Sequence, residues 1–498
     1  MTKEERDVMN SLLLSFSSDS SSPSLYFKLF DLLCREIKTG DKLPDNQIEE
    51  YLYNSVKTTA FPKLVIRLKM KLVESLSLNV NLEKKGAYSD RGKIIHQIRK
   101  KISASQILSY RGAVKQSNDL LDECITYASK YEFIEEWLTA LRLRTQSYVM
   151  NQNSKMVDQC SKEFDRVLLM LTAVKKAQTY YAEICSQLEH KSTPVDINLL
   201  SVKVKELQYL SKQTKSSNVL YFQSLLQTHL YQERKQYINA TDVLLKLISS
   251  IEKSPALKSP ERLSLTYLNL AWNEILTFRL KNVLVYTRKA AELLPKDNIN
   301  NYQNLIARFY TYFFLEQYYN AKEILEEMAA YNKNEAEYMQ GKRGYFLACI
   351  NFVQGQHKLA NEILRDLNPL EKDTEGWSIW FKIVHIMNDI QLENTESAFS
   401  KIIGLRKQIS RLTSENRDSP RLHLINDILQ SLANNHFEFS AVRKKKGIEL
   451  SRLNHKEENA WRITSPELII FNQWFDCNFY KTKFRQELPE YWEPAQTA

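Results

Sequence analysis

Apolar residues recur every three to four positions along most of the chain, the spacing that places side chains on one face of an α-helix. After Ser24, for example, Leu25, Leu29 and Leu32 share one face, and Ser24 is a residue type that caps a helix start. From Arg91 onward, one such segment follows another with short polar breaks between them. The pattern predicts an all-α protein built from successive antiparallel helical hairpins.

The composition strengthens this prediction. The 498 residues include only 10 Gly and 12 Pro, well below the usual shares of about 7% and 5%. Sheet proteins use both residues in tight turns, whereas the interiors of long helices exclude them. Hydrophobic residues make up 43% of the chain, which is enough for a continuous core. A disordered chain and a sheet protein are therefore both disfavoured.

A repeated pair of residues marks the second helix of successive hairpins. A small residue opens the helix, and a larger residue follows four positions later. From Val283, the small positions recur at spacings of 38, 39 and 38 residues. A fixed period of helical hairpins is typical of a solenoid, in which small residues let two helix axes approach each other. The pairs are Ala240 with Leu244, Val283 with Thr287, Ala321 with Leu325, Ala360 with Leu364, and Ala398 with Ile402.

Two of these hairpins carry the residue pattern of a known repeat, in which an aromatic residue precedes Leu and a small residue. The first supplies Tyr267, Leu270-Ala271, Val283, Ala290 and Pro295, and the second supplies Tyr345, Leu347-Ala348, Gly355, Ala360 and Leu364. Over residues 220–450 the chain resembles tetratricopeptide-repeat proteins. It departs from them in having Ala for Gly, in usually lacking the closing Pro, and in a period four or five residues above the family's 34. The resemblance implies an α-solenoid with a concave, protein-binding face.

Four regions follow from these patterns. A solenoid leaves its last apolar face open, so a terminal helix is needed to cover it, and Pro466 suits the start of that helix. The predicted regions are an N-terminal helical region with a Ser-rich lead-in (1–90), irregular helical hairpins (91–255), tetratricopeptide-like repeats (256–464), and a capping helix with a loose tail (465–498).

Aromatic-rich helices at 263–278 and 301–319 are candidates for the concave face. The resemblance places one side of each first helix along the groove, and aromatic residues with Arg and Asn dominate protein-binding hot spots. The same spacing also fits packing between helical layers, so both interpretations stay open. The candidate groove residues are Leu268, Asn269, Trp272, Asn273, Ile306, Arg308, Tyr310 and Tyr345.

The net charge of +10 is concentrated in one segment. Residues 57–115 contain fourteen Lys or Arg and three acidic residues, so the rest of the chain is close to neutral. A helical stripe of basic residues there runs beside an apolar stripe of Leu64, Val65, Leu68 and Leu72. Such a face attracts nucleic acid, an acidic protein or an anionic surface, although a solvated lysine-rich face has the same pattern. The candidate anion-binding residues are Lys63, Arg67, Lys71, Lys93, Arg99, Lys100 and Lys101.

Catalytic motifs that depend on glycine loops or paired histidines are absent from the sequence. Among the histidines, His357 and His385 could meet Cys349 in neighbouring repeats, but core or surface positions are favoured because zinc ligands usually occur in close pairs. We expect no enzyme activity, no catalytic residue, no cofactor and no metal.

The six cysteines lie far apart and form no Cys-x-x-Cys pair, which favours a reducing compartment. The first residues lack the long apolar run of a signal peptide, and no run approaches the roughly 18 apolar residues of a membrane span. We expect a cytoplasmic protein.

These features favour a scaffold or adaptor that binds a protein or peptide along the concave face of a helical-repeat solenoid. The alternative is a nucleic-acid-associated or transcriptional regulator, in which residues 57–115 hold phosphates and the repeats sense a partner. The two differ in which surface carries the function.

Overall fold

A computed structural model gives the architecture, and helices are the regular elements throughout the part of the chain that it describes. The chain forms two compact units, Met1–Tyr127 and Ala128–Ala498. This division falls inside the region predicted as irregular hairpins, and the four predicted region boundaries stay predictions. The described residues are 6–7, 9–11, 13, 24–40, 43–56, 59–78, 89–189, 196–295, 298, 300–331, 337–367, 376–414, 420–454 and 459–488.

The first unit is built from short helices around a small core. The hydroxyl of Ser24 accepts a hydrogen bond from the Phe27 N–H at 3.3 Å, which confirms the predicted helix cap. One core cluster of this unit consists of the buried residues Met9, Leu13, Leu29, Phe30, Ile48, Leu64 and Leu68. The helices are α1 (Leu25–Thr39), α2 (Asp45–Tyr53), α3 (Ala60–Leu78), α4 (Asp90–Tyr110) and α5 (Val114–Tyr131), the last of which ends in the second unit.

The second unit is a stack of antiparallel hairpins. Its helices are α6 (Ile134–Met150), α7 (Ser154–Glu189), α8 (Ile197–Thr214), α9 (Ser217–Glu233), α10 (Tyr237–Lys253), α11 (Pro260–Leu276), α12 (Leu280–Glu292), α13 (Asn300–Phe314), α14 (Tyr318–Tyr331), α15 (Glu337–Val353), α16 (His357–Asp366), α17 (Trp377–Gln391), α18 (Thr395–Ser414), α19 (Pro420–Asn434), α20 (Phe439–Lys445), α21 (Gly447–Leu453) and α22 (Phe471–Phe479).

The same turn precedes the second helix of five successive hairpins. Two positions before that helix, the backbone adopts the left-handed conformation, at Lys235, Phe278, Glu316, Gly355 and Glu393. Only one of these residues is Gly, the residue type that adopts a positive φ freely. Four of the five turns therefore strain an L-residue by about 1 kcal/mol or more, and a search for turn glycines could not have located them.

The predicted small residue is the fourth residue of each second helix. Ala240, Val283, Ala321, Ala360 and Ala398 are all fully buried, which confirms the period read from the sequence. Their larger partners four positions later, including Thr287, are also buried. The protein is therefore an all-α solenoid of tetratricopeptide-repeat-like hairpins.

One apolar core runs through the hairpins from α11 to α22. Aromatic rings join the layers: Phe309 of α13 stacks on Phe346 of α15 with centroids 4.3 Å apart, and Phe346 meets Trp377 of α17 edge-on at 5.5 Å. Each pair bridges first helices of neighbouring repeats. Much of the aromatic content of these helices is thus packing between layers, one of the two interpretations that the sequence left open.

The C-terminal segment, residues 459–488, differs from its prediction. Its helix begins at Phe471, five residues after Pro466, and residues 459–470 follow an irregular path. Phe484 and Leu488 pack against the main core, so at least this part of the predicted loose tail is held in place. The remaining tail positions, including Trp492, lie outside the described residues.

Candidate functional site

The predicted groove residues fall into two groups. Leu268, Asn273, Ile306, Tyr310 and Tyr345 are buried, with at most 7% of each residue exposed. Asn269, Trp272 and Arg308 are half-buried. Trp272 meets Tyr310 edge-on at 6.1 Å, so the structure brings these two residues together.

Asn273 lies in a buried polar network between helices. Its amide nitrogen donates to the carbonyl of Tyr237 and to the hydroxyl of Thr241, each at 2.8 Å, and its oxygen accepts from Gln232 at 3.1 Å. These bonds join α11 to α9 and α10. Because both amide N–H groups are used within the stack and the residue is fully buried, Asn273 supports the packing of the hairpins and is not accessible to a partner.

Arg308 is also occupied within its own hairpin. Its guanidinium donates to the carboxylate of Glu327 at 3.0 Å, which links α13 to α14. The pair is partly exposed and contributes little to stability. The sequence placed Arg308 near a groove, whereas the structure places it at the contact between the two helices of one repeat.

The C-terminal segment lies against the first helices of several repeats. Trp461 stacks on Phe278 with centroids 6.3 Å apart and meets Phe314 edge-on at 5.3 Å. The hydroxyl of Tyr345 donates to the carbonyl of Pro466 at 2.8 Å. Burial raises the pKa of Tyr345 well above its usual value, so this donor stays protonated. The segment therefore contacts Tyr345, one of the eight residues that the sequence assigned to a partner-binding groove.

A buried ion pair anchors this segment. The guanidinium of Arg421 on α19 donates a hydrogen bond to each carboxylate oxygen of Glu467, at 2.6 and 2.7 Å. The remaining donors of Arg421 reach the carbonyls of Leu453 and Asn459 at 2.9 and 2.8 Å. Arg421 is 7% exposed and Glu467 is 1% exposed. A bidentate pair with its other donors satisfied is the arrangement in which a buried ion pair is stable.

The segment also folds back on itself after α22. The side chain of Gln486 accepts from the Ile470 N–H at 2.8 Å and donates to the Leu468 carbonyl at 2.9 Å. Gln473 makes a matching pair of bonds to the backbone of Glu487. The bonds of Gln486 satisfy backbone groups of two buried residues, Leu468 and Ile470. Sequence reasoning missed Arg421, Glu467 and Gln486 because no motif marks them.

The basic helices of the first unit show an exposed face. Lys63 and Arg67 on α3 and Arg99 and Lys100 on α4 are exposed, whereas Lys71 and Lys93 are half-buried. Lys101 pairs with Glu123 of α5, and this hydrogen bond raises the pKa of Lys101. Lys101 is therefore paired with an acidic residue within the unit.

The apolar stripe of α3 is only partly as predicted. Leu64 and Leu68 are buried in the core of the first unit, but Val65 is 43% exposed. The exposed side of α3 also holds Ile66 and Met70, which are 60% and 63% exposed. Apolar residues thus lie on both sides of this helix, because the helix has more apolar positions around it than its buried side accommodates.

The three residues considered as metal ligands have other surroundings. Cys349 is fully buried in α15, the Nδ1 atom of His357 lies 3.1 Å from the amide oxygen of Asn388, and His385 contacts Lys401 at 2.8 Å. Burial, and then the nearby charge of Lys401, lower the pKa of His385 to about 4. Within the described ranges, no cluster of three or more His, Cys, Asp or Glu is arranged to hold a metal ion. None of the described helices is long and apolar enough to cross a membrane.

Comparisons with known proteins add little to this description. No family model matches the chain, and no curated protein matches it. Among solved structures, the chain is similar to a signal transduction ATPase with numerous domains from Pyrococcus horikoshii, which has a tetratricopeptide repeat sensor. The identity is 13% and the TM-score 0.39, with 84% of this chain and 66% of that chain covered. The chain's own turns and buried small positions make its fold tetratricopeptide-repeat-like.

Proposed function

We propose that this protein is a binding scaffold rather than an enzyme, and that its partner is a protein held on an exposed surface of the helical stack. The predicted groove mechanism is modified by the C-terminal segment. Leu468, Ile469, Phe471, Trp474 and Phe475 are each at most 1% exposed, so the chain's own residues form part of the core there. A peptide could reach that surface only after the loss of this burial, which makes surfaces elsewhere better candidates.

The observation that supports this proposal is an exposed row of apolar residues on α8. Leu199, Val202 and Tyr209 are 45%, 61% and 64% exposed. At 100° per residue they share one face, and about 15 Å separate the ends of the row. The opposite face of α8 holds the buried Leu200, Val204 and Leu207, so the orientation of the helix is set by packing. A row of large apolar residues exposed to solvent is typical of a protein interface.

Glu206 lies on the same face of α8, between Val202 and Tyr209, and belongs to a polar cluster that holds α8 on α7. The carboxylate of Glu206 accepts from the hydroxyl of Tyr180 at 2.7 Å and from Lys176 at 2.5 Å. These hydrogen bonds lower the pKa of Glu206, so it stays charged. Protein interfaces combine apolar residues with polar groups, and this face of α8 has both.

The test is a pair of charge substitutions on exposed apolar residues. Val202→Glu should abolish retention of the partner from extracts of the source cells, measured by quantitative mass spectrometry against the wild-type protein. Val285→Glu on α12 is the matched control, because Val285 is 49% exposed and lies on another helix. Equal retention by Val202→Glu and wild type would contradict the α8 surface. Self-association, seen by light scattering and lost in Val202→Glu, would make the partner a second copy.

A second candidate function rests on the exposed lysines and arginines of the first unit. Binding to nucleic acid through Lys63, Arg67, Arg99 and Lys100 would give an affinity that falls linearly with log salt, at about 0.9 per phosphate contacted on duplex DNA. Fluorescence anisotropy with duplex DNA and RNA across a salt series measures this slope. Charge reversal at Lys63 and Arg67 should lower the slope by about two, and an unchanged slope would exclude these residues.

A further inference from the structure

The outer face of α3 combines exposed apolar residues with exposed positive charge. Ile66 and Met70 lie four positions apart and are 60% and 63% exposed. Lys63, Arg67 and Lys69 are exposed around them. We call these five residues the α3 face. The opposite side of the helix is fixed, since Leu64 and Leu68 are buried with Leu29 and Phe30 of α1.

The order of these residues around the helix is set by its geometry. At 100° per residue, Ile66 and Met70 are neighbours along one stripe. Lys63 and Arg67 form a second stripe on one side of them, and Lys69 lies on the other side. The α3 face is therefore an apolar ridge with basic residues on both flanks. Residues 60–72 contain no acidic residue, and the first acidic residue after them is Glu74.

This order of residues discriminates among anionic partners. A phosphate backbone would meet Ile66 and Met70 at the centre of the face, where they would lose water and gain no apolar partner. A membrane surface needs a larger apolar area or a second anchor for stable binding, and Trp and Phe are missing from the α3 face. A helix with an apolar stripe between two rows of carboxylates matches all five residues, because it buries the ridge and pairs with both flanks.

We propose that the α3 face docks an acidic amphipathic helix of a partner protein, with Ile66 and Met70 against its apolar stripe and Lys63, Arg67 and Lys69 against its flanking carboxylates. Met70 suits such a contact because its unbranched side chain adapts to the shape of the partner. The proposal rests on the scaffold function above but uses a different helix from the α8 row, so the two can fail separately.

The probe is a synthetic amphipathic helix of about 18 residues with Leu along one stripe and Glu on both flanks. A second peptide with Gln in place of each Leu keeps the charge and removes the apolar stripe. Binding to the full-length protein is measured by fluorescence anisotropy at low salt, and circular dichroism confirms that each variant is folded. A duplex DNA of about 20 base pairs and phosphatidylserine-containing vesicles are measured in parallel.

Two variants test the α3 face, and one helix serves as the matched control. Lys63→Glu/Arg67→Glu/Lys69→Glu and Ile66→Ser/Met70→Ser should each weaken binding of the Leu peptide by about tenfold or more. The control is α18, where Ile403 is 46% exposed beside the exposed Arg406 and Lys407. Ile403→Ser and Arg406→Glu/Lys407→Glu should leave the affinity within about twofold, because α18 does not belong to the proposed surface.

Several results would overturn the proposal. If the Gln peptide binds as tightly as the Leu peptide, the attraction is charge alone. If the DNA or the vesicles bind more tightly than the Leu peptide and lose affinity in the same α3 variants, the partner belongs to another class. Absence of peptide binding at low salt also refutes it. The Val202→Glu variant should bind the Leu peptide normally, so failure of the α8 surface leaves this result unchanged.

Discussion

The ion pair between Arg421 and Glu467 offers the sharpest test of how the C-terminal segment is held. In Glu467→Gln, the side chain keeps its shape but loses its charge, and the guanidinium of Arg421 stays buried without a counter-charge. Both carboxylate oxygens currently accept from Arg421 at 2.6 and 2.7 Å, and one also accepts from the Phe471 N–H at 3.0 Å. The substitution therefore disturbs the anchor and the start of α22 together.

The burial of the ion pair sets the expected loss of unfolding free energy in Glu467→Gln. Glu467 is 1% exposed and Arg421 is 7% exposed, so solvent screens this pair weakly. Removing one partner of such a pair costs about 3–5 kcal/mol, because the other charge remains buried and uncompensated. If the urea m-value is about 3 kcal/mol/M, the midpoint of unfolding should fall by about 1 M or more.

Urea unfolding followed by tryptophan fluorescence measures this effect selectively. All seven tryptophans follow Tyr127 in the sequence, so residues 1–127 do not contribute to the signal. Asp158→Asn is the control, because it breaks an exposed pair with Lys162 at 2.7 Å and should cost about 0.5 kcal/mol or less.

A double variant separates the ion pair from general damage to the core. Arg421→Met/Glu467→Leu replaces both charges with apolar side chains and should recover a large part of the loss, since no charge is then left unpaired. A cost below about 1 kcal/mol for Glu467→Gln would refute the anchor. If the losses of unfolding free energy in Glu467→Leu and Arg421→Met simply add in the double variant, the two side chains are not coupled, and the anchor is refuted as well.

Three further predictions test other parts of the second unit. Trp461→Ala should lower the free energy of unfolding by about 3–5 kcal/mol, measured in urea, because its ring packs on both Phe278 and Phe314; a loss under about 1 kcal/mol would contradict that packing. Glu132→Ala should lower the free energy of unfolding by about 2 kcal/mol and speed hydrogen exchange at the start of α9. The Glu132 carboxylate caps this helix, since it accepts from the Ser216 hydroxyl and from the Ser217 and Asn218 N–H groups. Unchanged exchange at these groups would argue against this capping role. The pKa of His385 is lowered to about 4, whereas an unfolded His titrates near 6.5, so the unfolded state gains the proton first as the pH falls. The free energy of unfolding should therefore be highest above about pH 6.5 and fall as the pH drops toward 4. His385→Gln should weaken this dependence on pH in acid titrations of stability, and an equal dependence in both proteins would refute the lowered pKa.

The repeat architecture could be predicted because its signal is local. Ala240, Val283, Ala321, Ala360 and Ala398 are small where two helices of one hairpin cross, and that requirement is visible at a fixed spacing. The cap at Ser24 is local in the same way, since its hydroxyl bonds to a backbone group only three residues away. The turns before the second helices were harder to see, because residues such as Glu316 and Glu393 adopt a conformation usually left to glycine.

The groove could not be assigned from sequence for a physical reason. Periodicity shows that Tyr310 or Tyr345 faces something apolar, but a helical face looks the same whether its cover is another layer, a partner or a distant part of the same chain. Tyr345 meets Pro466, which is 121 positions away. Likewise, the sequence places Val65 in one apolar stripe with Leu64 and Leu68, and only the packing of α1 on α3 decides which of these residues are buried.

What the sequence by itself determined is the class of fold: helices, hairpins, the period of the repeat and the concentration of positive charge in one segment. Each of these depends on residues within about one repeat of one another. The tertiary structure decided which surfaces remain open, through the return of the C-terminal segment across the first helices and through the exposure of α3 and α8. Those outcomes depend on contacts between residues far apart in the chain, and side-chain order along a helix carries no information about its distant neighbours.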